Sequence, residues 1–379
     1  MTTAFETLTP ICRDQVGGPM AWSGREVRKD RFVHQLSPAS VAALEDLLVR
    51  TRDLAREDIT ADMCRHPDLD APLKRAYRDV MFGQGLIVLR GFPVKDRALE
   101  DVERFYWFAM NHFGRMLGHN SMGHTMVRVQ QEVMPQGVQP ARGTKSNAEL
   151  GFHNDSADIL GLLCVREPIS GGASQFSSGI AAHNTILAEH PEILPILYRG
   201  FPHHRRSEQY DDQPDVTPYN VPVFSTNKRG EISIHWGYSS IAPAMHVLGK
   251  SLTAEEERAI QIIREVLEHQ QIEFQICAGE AYIANNFAMC HARSEYVDAA
   301  DPARRRLLLR AWTEVPSEDR RLPEGRDYFH MENKDGRLGY DRVPGRAEKL
   351  STNEYVNVSS DLAEMFKAAQ RKPKFKEGV

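Results

Sequence analysis

The sequence predicts a mainly β protein with flanking helices, and three observations carry that expectation. Beyond about residue 115 the chain breaks into short apolar segments separated by Gly, Pro, Asn and Ser, the grammar of strands joined by turns. One segment, EISIHW (231–236), alternates Ile232, Ile234 and Trp236 with Ser233 and His235, the two-residue period of a half-buried strand. Apolar residues recur instead at helical spacing in three stretches, 39–54, 98–114 and 252–270. A chain of 379 residues, 41% hydrophobic and 26% charged, has the composition of a globular protein with a sizeable core.

Taken in order, Ser37 and Pro38 supply an N-cap and a first-turn proline for a helix with Val41, Leu44, Leu47 and Leu48 on one face. GQGLIVLRGFPV (83–94) reads as a strand entered and left through Gly and Pro. ALEDVERFYWFAMNHFG (98–114) reads as a helix ended by Gly114, its aromatic residues serving the core. Four strand candidates follow at 159–165, 173–178, 231–236 and 280–283. They are interrupted by a helix at 252–270 with Thr253 and Glu256 as a capping box. CRHPDLDAPLKR (64–75) reads as a charged loop, and the basic tail KAAQRKPKFKEGV as a solvated end.

A formal net charge of −5 gives no general reason to attract phosphate backbones, so nucleic acid is not an expected partner despite the short basic runs HHRR (203–206) and ARRR (303–306). No stretch approaches 18 uninterrupted apolar residues, and the opening residues lack the basic-then-apolar pattern of a secretory signal. The expectation is a cytoplasmic protein without a membrane partner. Its five cysteines are odd in number and contain no Cys-x-x-Cys, as reduced thiols would be. Cys290, beside His291, reads as a small core filler on a strand rather than a nucleophile.

Four places set a His two residues before a carboxylate: His66 and Asp68, His153 and Asp155, His190 and Glu192, His330 and Glu332. Two imidazoles and one carboxylate on one face of an octahedron leave the opposite face for substrate and dioxygen, the arrangement of non-haem Fe(II) sites. Residues two apart on an extended strand point to one side, so His153 and Asp155 can act together, whereas His66 and Asp68 flank a proline in a charged segment. His291 is the candidate second imidazole. It lies 136 residues beyond Asp155, a separation that suits strands on opposite sides of a barrel mouth. In ARRRLLLRAW, Arg306 and Arg310 are four apart within an apolar run, placed to pair with a carboxylate such as the tail of a dicarboxylate; Arg304 and Arg305 read as a solvated cationic cluster.

With those residues in place the chain resembles the TauD/TfdA-like branch of the Fe(II)- and 2-oxoglutarate-dependent dioxygenases. The matching pieces are GFHNDS, GGASQFSS, NNFAMCHARSEYVD and RRRLLLRAW, in family order over about residues 150–313, with weaker similarity in GLIVLRGFP. The resemblance implies a double-stranded β-helix (jelly-roll) core over 81–316, a helical extension over 1–80 packed on it and a C-terminal extension over 317–379. It implies that His153, Asp155 and His291 hold Fe(II), and that Arg306 and the Ser174 hydroxyl hold the distal carboxylate of 2-oxoglutarate. Arg310 would meet either an anionic group of the substrate or the co-substrate.

The implied reaction consumes dioxygen, decarboxylates 2-oxoglutarate to succinate and oxidises an unactivated C–H bond of a small molecule. Hydroxylation is favoured over halogenation because Asp155 keeps the carboxylate that a halogenating relative lacks. Arg310 and Arg293 admit an anionic substrate. PARGTKSNAEL (140–150) does not match the family's taurine-contacting region, so the resemblance does not extend to taurine. The alternatives are a zinc hydrolase on the same ligands, although no His-Glu-x-x-His is present, and a non-catalytic jelly-roll binding protein. A homo-oligomer is compatible with the long N-terminal region.

Overall fold

The computed structural model of the chain describes residues 9–119, 123–131, 146–205 and 214–323, together with residue 365. Most of the expected C-terminal extension, the basic tail, and His330 with Glu332 lie outside the described residues. In chain order the first strands and helices are β1 (Val33–Gln35), α1 (Pro38–Arg50), α2 (Pro67–Phe82), β2 (Leu86–Arg90), α3 (Leu99–Met110), β3 (Arg115–Met116) and β4 (Met126–Val129). The middle of the chain adds β5 (Leu150–His153), β6 (Ile159–Arg166), β7 (Ser170–Gly171), β8 (Ser174–Ser178), α4 (Gly179–Glu189), α5 (Leu194–Arg199), β9 (Phe224–Thr226) and β10 (Ile232–Ile234). It closes with α6 (Tyr238–Val247), α7 (Ala254–His269), β11 (Ile272–Phe274), β12 (Glu280–Asn285), β13 (Met289–Arg293), β14 (Tyr296–Val297) and β15 (Leu307–Glu314).

Among the described residues the larger sheet has seven strands in the order β1-β2-β12-β6-β15-β3, with β4 also paired to β15; a second sheet runs β11-β8-β13-β5. Alternation along the large sheet sorts its side chains into two cores. Val88, Leu160, Leu162, Tyr282, Leu308 and Trp312 join Phe152, Phe176 and Ala292 of the smaller sheet in one buried cluster. Their chain neighbours Leu89, Ile159, Leu163, Ile283, Leu309 and Ala311 face the other way and pack with residues of α1, α2 and α3. The protein is therefore mostly sheet with helices against it, as expected, and one face of the large sheet is free to line a cavity with the smaller sheet.

The local signals act as anticipated at several points. The Ser37 Oγ accepts from Ser40 N at 3.0 Å to start α1, and Thr253 with Glu256 forms the complete capping box of α7. The strands expected at 159–165, 173–178 and 280–283 are β6, β8 and β12, and the alternating EISIHW contributes β10. Two differences stand out. CRHPDLDAPLKR is not a charged loop: His66 Nδ1 accepts from Asp68 N at 3.2 Å, Pro67 takes the first turn, and α2 buries Leu69, Leu73, Ala76 and Val80 at helical spacing. The N-terminal region is also not purely helical, because β1 pairs in parallel with β2. No helix among the described residues is long and apolar enough to cross a membrane.

Ile283 is fully buried on the helix-facing side of β12, away from the cavity. Ile283→Ala should lower the free energy of unfolding by roughly 2–5 kcal/mol, the cost of emptying a core position. Urea denaturation checks this; an unchanged midpoint would mean that the helical layer does not stabilise the sheet.

Candidate active site

The site begins with strand pairing. β13 runs antiparallel to β5, and the register sets His291 directly opposite His153, with ring centroids 4.1 Å apart. The two strands are neighbours in one sheet, not opposite sides of a barrel mouth: the intervening chain passes through the other sheet and returns, so sequence separation says nothing here about distance. Asp155 lies just past the end of β5 and brings Oδ1 to 3.7 Å from His153 Nε2. One potential ligand atom from each of His153, Asp155 and His291 lies within 4.8 Å of the others. Donor atoms sharing an ion at bond lengths of about 2.1 Å stand on the order of 3–4 Å apart, so small side-chain adjustments close the set on one cation.

Because Asp155 is off the strand, period-two alternation does not aim it; amide side chains do. Asn286, buried in the turn between β12 and β13, accepts from Asp155 N at 3.0 Å and donates to the Asp155 and Ala157 carbonyls. Asn154 donates to Asn286 O and Met289 O and accepts from Trp236 N at 2.7 Å. The loop carrying the carboxylate is thus tied to the turn that precedes His291. Neither asparagine stood out in the sequence as a functional candidate, although both lie inside the motifs HND and NNF. An Asn beside a candidate ligand was the signal available.

Proton positions favour cation binding. The His153 Nδ1–H donates to Gly151 O at 2.9 Å, which turns Nε2 toward the cluster. Burial pushes His291 down to about 3, assisted by His153 and Arg310 and opposed by Asp155, so its imidazole is neutral near pH 7. Burial alone would raise the Asp155 carboxyl, but Arg310, the two imidazoles and a hydrogen bond from Trp312 outweigh it and hold the group well below the usual carboxylate range. Its Oδ2 accepts from Arg310 Nη1 at 3.1 Å and from Trp312 Nε1 at 2.9 Å.

The cluster opens on a cavity between the sheets that is also lined by Ser174, Tyr282, Arg293, Arg306, Leu308 and Arg310. The cavity is narrow, with a free volume of about 50 Å3. Arg306 and Arg310 are both buried here, as their place in an apolar run predicted, while Arg304 is exposed and Arg305 half-buried. Arg306 Nη1 and Arg310 Nε have no hydrogen-bond partner. Arg293 is committed to the chain itself, its Nη2 donating to Ser146 O at 2.8 Å and to Ala148 O.

The two other described His-carboxylate pairs do other work. His66 is a helix cap, and Glu192 pairs on the surface with Arg258 at 3.0 Å, 4.0 Å from His190. His235 is buried at the end of β10 with its ring against Phe287. Cys290 is fully buried in the core, and burial raises its thiol far above the usual range. The sequence expectation for Cys290 holds, whereas EISIHW is buried on both faces rather than half-buried.

The chain is a TauD-like non-haem iron dioxygenase that uses 2-oxoglutarate, on the strength of its family and of the known proteins it resembles. The chain belongs to the taurine catabolism dioxygenase TauD, TfdA family, whose model matches residues 50–312. It is 26% identical over 264 residues to FR-33289 synthase of Streptomyces rubellomurinus, covering 65% of this chain and 77% of that protein. It is 25% identical over 331 residues to the taurine hydroxylase-like protein SAT17 of Stachybotrys chartarum, covering 81% of each. In fold it is similar to asparagine oxygenase in complex with Fe(II), 2S,3S-3-hydroxyasparagine and succinate, with a TM-score of 0.59 and 15% identity over 78% of this chain and 100% of that one. The non-heme iron oxygenase OrfP in complex with Fe and alpha-ketoglutaric acid gives a TM-score of 0.56 and 15% identity over 76% and 94% of the two chains.

Asn286→Ala would strip three polar backbone groups of their partner at once. It should lower stability by more than about 2 kcal/mol, given a cost of about 1–3 kcal/mol for each buried group left unsatisfied. Chemical denaturation checks the loss; a change below about 0.5 kcal/mol would show that the loop does not depend on the amide.

Proposed function

We propose that this chain binds Fe(II) through His153, Asp155 and His291 and uses 2-oxoglutarate and dioxygen to hydroxylate an unactivated C–H bond of a small organic substrate. The observation that carries this reading is the buried, unpartnered Nη1 of Arg306 on the cavity that holds the three ligands. A guanidinium with an open N–H in a buried site calls for an anion, and a carboxylate answers it with a charge-assisted pair. Two imidazoles with one ionised carboxylate make a nitrogen-oxygen donor set that suits divalent iron.

Iron and 2-oxoglutarate, when bound, supply the oxidising chemistry, with decarboxylation of the co-substrate to succinate. The protein's own residues bind and orient. His153 presents Nε2 because its Nδ1–H is held by Gly151 O. Arg306 and the Ser174 hydroxyl hold the distal carboxylate, and the apolar Leu162, Leu308 and Val129 keep water from the reacting centre. In this reading the core is a double-stranded β-helix over about 81–316, supported by the two sheets that share one cavity. Residues 1–80 and 317–379 are extensions of that core. A zinc hydrolase is disfavoured because, among the described residues lining the cavity, Asp155 is the sole carboxylate and is occupied by Arg310 and Trp312, which leaves no general base.

Anaerobic titration with Fe(II) and 2-oxoglutarate should give a weak visible charge-transfer band that saturates near one equivalent. The band should vanish in His153→Ala and persist in His66→Ala; absence of the band in the unaltered protein, with tight zinc binding instead, would overturn the reading. Arg306→Ala should weaken apparent 2-oxoglutarate affinity about tenfold or more, from loss of a charged hydrogen bond of about 1.5–3 kcal/mol. An unchanged affinity would transfer the anchoring role to Arg310.

A further inference from the structure

We infer that Arg310 and Trp312 are positioning residues that confine Asp155 to a single ligating oxygen. The inference rests on the iron-binding reading above. Both side chains donate to the same carboxylate atom, Oδ2, at 3.1 Å from Arg310 Nη1 and 2.9 Å from Trp312 Nε1. Oδ1 is the atom nearer the imidazoles, 3.7 Å from His153 Nε2. The two donors stand two residues apart on β15, so one strand face delivers both.

Neither donor is loose. Arg310, Trp312 and Asp155 are buried or nearly so, and the Arg310 guanidinium carbon lies 4.6 Å from the Trp312 ring centroid. The indole also stacks on the fully buried His119, with ring centroids 4.2 Å apart and planes 8° from parallel. Rotating the carboxylate so that both oxygens reach a metal would break a charged hydrogen bond and an indole hydrogen bond inside the protein, where water cannot replace them. A carboxylate that chelates would occupy two coordination positions; one held to a single oxygen would leave the second for dioxygen. Arg310 retains an unpartnered Nε, but its Nη1 is committed to the metal ligand, which separates its task from that of Arg306.

Co(II) is the probe, because the intensity of its visible bands reports coordination number and the metal is stable in air. Trp312→Phe keeps the ring and removes the donor; Arg310→Gln removes the charge. In each variant Co(II) affinity should fall ten- to a hundredfold, the usual effect of losing a hydrogen bond to a metal ligand, with altered band intensity. Apparent 2-oxoglutarate affinity at saturating metal should stay within about twofold. Ile283→Ala, destabilised on the far side of the sheet, serves as control and should keep the unaltered spectrum, so general loosening cannot produce the signature. Unchanged metal affinity and bands in both variants would overturn the inference. Loss of 2-oxoglutarate affinity in Arg310→Gln as large as in Arg306→Ala, with metal affinity intact, would overturn it for Arg310. If the unaltered protein fails to bind one equivalent of Co(II), the iron-binding reading itself fails.

Discussion

The pairing of β5 with β13 is the constraint on which the site depends. It sets two imidazoles opposite each other, their planes tilted by 47°, without any contribution from the ligands themselves, since backbone hydrogen bonds set the register and side-chain alternation then aims both rings toward the large sheet. A slip of β5 by one residue would turn the His153 ring to the other face, away from His291. What pairing cannot do is place the carboxylate, which sits where the strand has ended. That task falls to the asparagine amides, which bond backbone groups that no strand partner satisfies.

The electrostatics follow from the same enclosure. Burial makes the His291 imidazole shed its proton and would make the Asp155 carboxyl keep one, so an ionised acid at this place requires a cation beside it. Arg310 fills that place. The cavity therefore contains guanidinium groups in excess of carboxylates among the described lining residues, and that imbalance makes the pocket receptive to an anionic co-substrate.

Much of this was legible in the sequence, for identifiable reasons. Capping residues announced α1 and α7, and the apolar run around Arg306 and Arg310 announced buried guanidinium groups. α2 was hidden because its start is rich in Asp, Arg and Pro, residues that look like a loop until His66 and Pro67 are recognised as a cap and a first turn. α4 follows directly on β8 and carries apolar residues around much of its circumference, which blurs the helical period. The Trp312 contact with Asp155 joins residues 157 positions apart, and no local pattern encodes which indole will face which carboxylate.

The two faces of the large sheet divide the labour between successive residues of single strands. Leu162, Tyr282 and Leu308 border the cavity, whereas Leu163, Ile283 and Leu309 anchor the helical layer behind it. Selection can thus exchange cavity-facing side chains, and with them the shape offered to a substrate, while the rear face keeps the scaffold folded. Such an arrangement lets a lineage diversify its chemistry by point mutation, with most of the tolerance for change supplied by residues that never meet a ligand.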